Sequence, residues 1–275
     1  MQLNGKVCLV TGGTRGIGAA SAFALASEGA DVAIVGRNAD DAAAQTKARI
    51  EALGRRCEIV RADCAQPAES TRCVAETAAR LGAVDVLIHS AGGPVNGKLF
   101  DLNEADWNAA FAIHVHAIFH LCRAVIPMMR TKQEGAVVLI GSTAGLRGVH
   151  TNIAYQVVKG ALPQFARALA REFAQDNIRV NCIAPGVIRT RFHAQMTEQQ
   201  RKLNLEQRIP LHREGTPEQV AELIATVVKN DYLTGETFTI DGGLTMRIAQ
   251  TAPTGPMARR GRRPKFAAVA GLQSV

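Results

Sequence analysis

Seven short apolar runs rich in β-branched residues recur along the chain: Val7–Val10, Val32–Val35, Cys57–Val60, Val84–Ile88, Ala136–Ile140, Ile178–Ile183 and Thr237–Ile240. Continuous apolar runs of this length read as strands buried on both faces, since a half-exposed strand would alternate. Between them lie longer alanine-rich segments with helical periodicity. Ile17–Glu28 closes at Gly29, Asp41–Leu53 at Gly54, and Pro67–Leu81 at Gly82. Proline near a helix start and glycine just past its end is the expected asymmetry. Strands alternating with helices through tight connections predict α/β architecture: a doubly wound parallel sheet with helices on both faces. No internal repeat or linker interrupts residues 1–248, which read as one domain. From Thr251 the periodicity is lost and three prolines follow, so residues 249–275 are expected to form a disordered tail.

Charge is relevant because a net +8 raises the question of nucleic acid. Five of those eight surplus charges are Arg259, Arg260, Arg262, Arg263 and Lys265, leaving a surplus of three on residues 1–248. Aromatic residues are only 4%, a poor supply of stacking platforms, so neither feature favours nucleic acid as the main partner. The six cysteines have no C-x-x-C spacing, which argues against a zinc ribbon or disulfide framework and fits buried packing residues in a reducing compartment. The first residues lead directly into a strand, and no apolar run approaches the roughly 18 to 20 residues that cross a bilayer. The expectation is a soluble, cytoplasmic protein without a membrane partner.

Directly after the first strand stands Thr11-Gly12-Gly13-Thr14-Arg15-Gly16-Ile17-Gly18, followed by a helix. Glycines there let the backbone turn sharply and approach a pyrophosphate, and the helix start offers unpaired N–H groups. The position after the first strand of an alternating chain makes this a nucleotide-binding loop. At the end of the second strand an NAD site usually carries an acid for the ribose 2′-hydroxyl. Gly36-Arg37-Asn38 has none at the strand tip. Arg37, with Arg15 closing from the other side, suits a 2′-phosphate, which favours NADP(H).

The fifth strand ends in Gly141-Ser142-Thr143-Ala144-Gly145, and thirteen residues after Ser142 comes Tyr155-Gln156-Val157-Val158-Lys159. Tyrosine and lysine at i and i+4 share a helix face. An ammonium near the phenol is expected to lower its pKa and make it a usable acid or base, while Ser142 orients the substrate oxygen.

Taken together, these motifs resemble the short-chain dehydrogenases/reductases of the roughly 250-residue type. Pro185-Gly186 and the stretch Thr234-Gly235-Glu236-Thr237-Phe238-Thr239-Ile240-Asp241-Gly242-Gly243 add to the likeness, which covers about residues 3–247. The resemblance implies a Rossmann-type sheet of seven parallel strands and a homotetramer. It implies that Tyr155 protonates a nascent alkoxide and that Lys159 binds the nicotinamide ribose and tunes Tyr155. It places Asp63 on the adenine ring, Ser90, Ala91 and Gly92 under the cofactor, and Ile188 and Thr190 at the nicotinamide amide and neighbouring phosphate.

Two positions depart from the family. The relay asparagine, seven residues after the helix tryptophan, is His114 when counted from Trp107; histidine can also pass a proton. Pro163 cannot donate to the carbonyl of Lys159, so a kink is expected in that helix. His116 and His120 share a helical face but lack a third ligand, and no metal is expected. The substrate lid is expected over about residues 187–213, with Phe192, Met196, Leu203, Leu205, Ile209 and Leu211, opposite Pro94, Val95, Ala144, His150 and Asn152. The expected activity is NADP(H)-dependent interconversion of a carbonyl and a secondary alcohol, with Ser142, Tyr155, Lys159 and His114 as catalytic residues. A 3-oxoacyl thioester, sugar, steroid or aryl ketone all remain open as substrates. The other reading is a catalytically weak NADP(H)-binding regulator that acts through its basic tail.

Overall fold

The computed structural model describes residues 1–150, 152–190 and 196–246. The basic tail and Phe192 lie outside the described residues. The seven strands form one parallel sheet in the order β3-β2-β1-β4-β5-β6-β7. They are β1 (Val7–Thr11), β2 (Asp31–Gly36), β3 (Cys57–Arg61), β4 (Val86–His89), β5 (Gly135–Ile140), β6 (Ile178–Pro185) and β7 (Thr237–Ile240). The helices are α1 (Gly16–Ser27), α2 (Asp41–Glu51), α3 (Pro67–Leu81), α4 (Glu104–Phe111), α5 (Ala117–Lys132), α6 (Ile153–Glu172), α7 (Glu198–Leu203) and α8 (Pro217–Lys229).

Each strand feeds both sides of the sheet. Val7 and Leu9 join a core with Leu87, Ile118, Leu121 and Leu162, under α3, α5 and α6. Cys8 and Val10 point the other way, to Leu25, Ile50, Ile224 and Val228 of α1, α2 and α8. Side chains that alternate between two covered faces explain why the strands read as unbroken apolar runs. All six cysteines are free and buried.

The order of strand connection reverses between β1 and β4, and this is where doubly wound folds open a crevice at the carboxyl ends of their strands. Strand β4 begins two residues later than its apolar run predicts. The reason is Asp85, whose carboxylate accepts the Val7 N–H at 2.9 Å and the Lys132 ammonium at 2.6 Å.

One expectation needs correction. Helices α4 and α5 join through a π turn, Ala112–His116, into a continuous 29-residue helix whose apolar window has mean hydropathy 1.6. That is long and apolar enough to cross a membrane by length and composition, contrary to the expectation from single runs. Its inner face, including Ile118, Leu121, Val125 and Met129, is buried in the core beside the sheet. Helix α6 runs from Ile153 to Glu172 with Pro163 inside it. The Lys159 carbonyl that Pro163 deprives of a donor lies on Gly145, where an added Cβ would come within 2.6 Å of the carbonyl oxygen.

Candidate active site

The glycine loop sits on the tip of β4. Gly12 has φ +65°, and a Cβ there would lie 2.8 Å from the Ser90 carbonyl oxygen and 2.9 Å from Ala91. The Ser90 N–H donates to the Thr11 carbonyl at 3.1 Å, which fixes this contact. Thr14 is buried, and Gly16 faces the Thr190 methyl, 3.5 Å from where its Cβ would be. No side chain caps the first turn of α1, where Gly16, Ile17 and Gly18 lie, whereas Asp40 caps α2 and Asn103 caps α4. An uncapped helix start behind a loop stripped of Cβ atoms fits a dinucleotide pyrophosphate. Pro185 ends β6, and Gly186 packs against Asp241. Buried Ile188 accepts from the Thr190 hydroxyl at 3.4 Å, so the segment from β6 returns to the glycine loop.

At the β2–β3 end, Arg37, Arg61 and Asp63 line one cavity of about 640 Å³. Arg61 escaped the sequence reading, since a single arginine at a strand end carries no motif. The Arg15 guanidinium is paired with the Asp40 carboxylate at the start of α2.

At the other end of the crevice, Ser142, Tyr155 and Lys159 converge. Ser142 caps a short 3-10 turn, Thr143–Gly145, and hydrogen-bonds the Tyr155 hydroxyl. Lys159 is 7% exposed and donates to the Ile140 carbonyl at 2.7 Å, with its ammonium 5.8 Å from the Tyr155 ring centre. Burial pulls the Lys159 pKa down to about 8. Burial likewise pushes Tyr155 up to about 12, against the weaker opposing pull of Ser142. Desolvation, not the ammonium, sets the direction of the phenol's shift, and the lysine is directed at a backbone carbonyl.

His114 lies in the π turn and is 1% exposed. Its ring stands edge-on to Tyr155, with centres 5.8 Å apart and planes at 85°. Gly92, at φ +137°, makes room for it, since a Cβ there would lie 2.1 Å from the imidazole Cε1. Nε2 donates to the Gly93 carbonyl at 3.1 Å, and burial together with Lys159 lowers the pKa to about 2. The ring is neutral, and its buried Nδ1 has no hydrogen-bond partner among the described residues.

His89 also belongs to this site, directly ahead of Ser90, Ala91 and Gly92. Its Nε2 donates to the Ile113 carbonyl at 3.1 Å, and its Nδ1 meets the Thr11 hydroxyl at 2.9 Å. Burial lowers its pKa to about 3, so it too is neutral. It ties β1, β4 and the π turn together.

On the opposite wall, Gln156 clamps Val149 through two 2.7 Å hydrogen bonds, and Asn152 bridges to Gly97. In the expected lid, α7 has a Thr197–Gln200 capping box, Ile209 is buried, and Leu203 and Leu211 are exposed. Among the described residues, no three His, Cys, Asp or Glu side chains gather as a metal site.

The chain matches the family profile described as Enoyl-(Acyl carrier protein) reductase over residues 12–245. It is 35% identical over 254 residues to Dehydrogenase/reductase SDR family member 4 of Oryctolagus cuniculus, covering 90% of this chain and 96% of that protein. This chain belongs to the short-chain dehydrogenase/reductase family. It is also 32% identical to the 3-oxoacyl-[acyl-carrier-protein] reductase FabG of Thermotoga maritima, over 90% of this chain and 100% of that one. Among solved structures, a short-chain dehydrogenase from Burkholderia cenocepacia in complex with NADP superposes with a TM-score of 0.82 at 33% identity, covering 89% of this chain and 100% of that one. A blue fluorescent protein from a metagenomic library, in complex with NADPH, gives 0.81 at 33% identity, over 89% and 99% of the two chains. The chain is an oxidoreductase of this family with its Rossmann-type sheet.

Proposed function

We propose that the protein is an NADP(H)-dependent carbonyl reductase, with a 3-oxoacyl thioester the leading substrate class. The observation that carries the reading is the convergence of the Ser142 and Tyr155 hydroxyls beside a buried Lys159, at the β5–α6 end of the crevice that the glycine loop begins. Two hydroxyls meeting at one point are suited to hold a single carbonyl oxygen. The solved relatives with NADP or NADPH support the cofactor, and the reductases acting on 3-oxoacyl carriers support the substrate class.

When bound, the reduced nicotinamide would supply a hydride to the carbonyl carbon. Gly12, Thr14, Gly16, Ile17 and Gly18 would hold the pyrophosphate, Arg37 the 2′-phosphate and Asp63 the adenine. Ser90, Ala91, Gly92, Pro185, Gly186, Ile188 and Thr190 would line the nicotinamide half. Ser142 orients the substrate oxygen. Tyr155, protonated throughout the physiological range, donates the proton that the developing alkoxide takes up. With a pKa of about 8, Lys159 is mostly charged at neutral pH and stabilises negative charge arising beside it. His114, held neutral, orients through its unpaired Nδ1 and does not act as a charged acid.

The test is a screen of 3-oxoacyl thioesters, ketones and secondary alcohols with both nicotinamide cofactors, followed by nicotinamide absorbance. Turnover of a 3-oxoacyl thioester with NADPH is expected. Reduction of enoyl but not oxo substrates would overturn the carbonyl assignment, and binding of NADPH without turnover of any substrate would favour a regulator.

A further inference from the structure

Arg15 stands at the start of α1 and Arg37 directly after β2, and the fold treats them differently. Arg37 is exposed and has no ion pair or hydrogen bond among the described residues. Arg15 is held by Asp40, three residues beyond Arg37. The carboxylate is itself fixed: its other oxygen accepts the Ala43 N–H at 3.2 Å as the cap of α2. That N–H bond and the guanidinium together hold the Asp40 carboxyl below the ordinary carboxylate range, so it stays charged. A negative charge is thereby built into the one region where the cofactors differ.

We propose that Asp40 is a specificity-determining residue that lowers discrimination between the two nicotinamide cofactors. It does so by occupying Arg15 and repelling a 2′-phosphate. This rests on the NADP(H) reading above. A 2′-phosphate must either take Arg15 from Asp40 or bind with Arg37 alone, and in both cases it meets a like charge nearby. A 2′-hydroxyl is neutral and a donor, so a carboxylate there costs it nothing. Solvent and salt screen an exposed pair of this kind, so the effect is moderate.

Asp40→Asn separates the charge from the cap, because asparagine caps a helix about as well as aspartate. Affinities for NADPH and NADH are measured by calorimetric titration of the full chain at low and high salt, with wild type, Asp40→Asn, Arg15→Ala and the double variant. In Asp40→Asn, NADPH should bind about three- to tenfold tighter, with NADH unchanged within about twofold or weaker, and the gain should shrink with salt. Arg15→Ala should cost NADPH more affinity in the Asp40→Asn background than in wild type. Unchanged or weaker NADPH binding in Asp40→Asn, or equal tightening of both cofactors, overturns the proposal. Arg37→Asp in the same series keeps the two ideas distinct. If it lowers NADPH affinity while Asp40→Asn changes nothing, only the role of Asp40 falls. If it leaves NADPH affinity intact, the 2′-phosphate reading falls and the role of Asp40 with it.

Discussion

The two ends of the crevice handle charge in opposite environments. At the β2–α2 end, Arg15 and Asp40 keep 44% and 39% of their side chains exposed, and Arg37 is exposed as well. At the β5–α6 end, Lys159 is 7% and His114 1% exposed. The first set is a solvent-exposed ion pair beside a second exposed arginine, where single substitutions can retune the charge. Burial dominates the second set: it lowers Lys159 to about 8 and His114 to about 2, and raises Tyr155 to about 12. On the function proposed above, the exposed end would select the cofactor, whereas burial at the other end fixes which groups hold protons.

If that contrast is right, substitutions at the buried end should change rate and those at the exposed end should change affinity. Among substitutions beside the tyrosine, the largest effect is expected for Lys159→Ala, with turnover falling by about 10²–10⁴. In wild type the reductive rate should fall as pH rises through about 8, because the depressed lysine pKa means the ammonium is present below that value and lost above it. A reductive rate flat from pH 7 to 10 in steady-state assays would contradict this role. Arg37→Asp is expected to weaken NADPH binding at least tenfold, by loss of a charge-assisted hydrogen bond and addition of repulsion, with turnover at saturating cofactor nearly unchanged. Equal loss for NADH and NADPH in titrations would show that Arg37 supports structure only. His114→Asn should have the smallest effect, leaving turnover within about threefold or raising it, since a neutral ring supplies no charge to lose. A steady-state loss near a hundredfold would instead make His114 a true proton carrier.

Much of the fold is legible in the sequence because local patterns and tertiary burial agree. Pro67 and Gly82 bracket α3 as its composition predicts, and each strand run recurs as a strand with ends shifted by at most two residues. Strand β4 starts late because the Asp85 side chain takes up Val7 and Lys132, contacts 78 and 47 residues away along the chain. The glycine loop and the Ser142, Tyr155 and Lys159 spacing are legible for the same reason: each motif is local, and the parallel sheet sets their order. What was not legible depends on distant partners. Asp40 reads as a helix cap until Arg15 is seen on its carboxylate, 25 residues away. His89 reads as a strand end until its ring is seen on Thr11 and Ile113. Desolvation reverses the expected direction for Tyr155, and burial of a half-exposed helix start cannot be judged from an i, i+4 spacing.

The central claim is that the Tyr155 hydroxyl supplies the proton at the buried end while the exposed end binds the cofactor independently. Tyr155→Phe tests it most directly, because the ring and its packing stay and only the hydroxyl goes. NADPH affinity by titration and turnover of a ketone or thioester that the wild type reduces are measured on the same preparation. The account predicts affinity within about twofold of wild type and turnover lower by about 10²–10⁴ or more. Near-full turnover in Tyr155→Phe would contradict it and place the proton donor elsewhere.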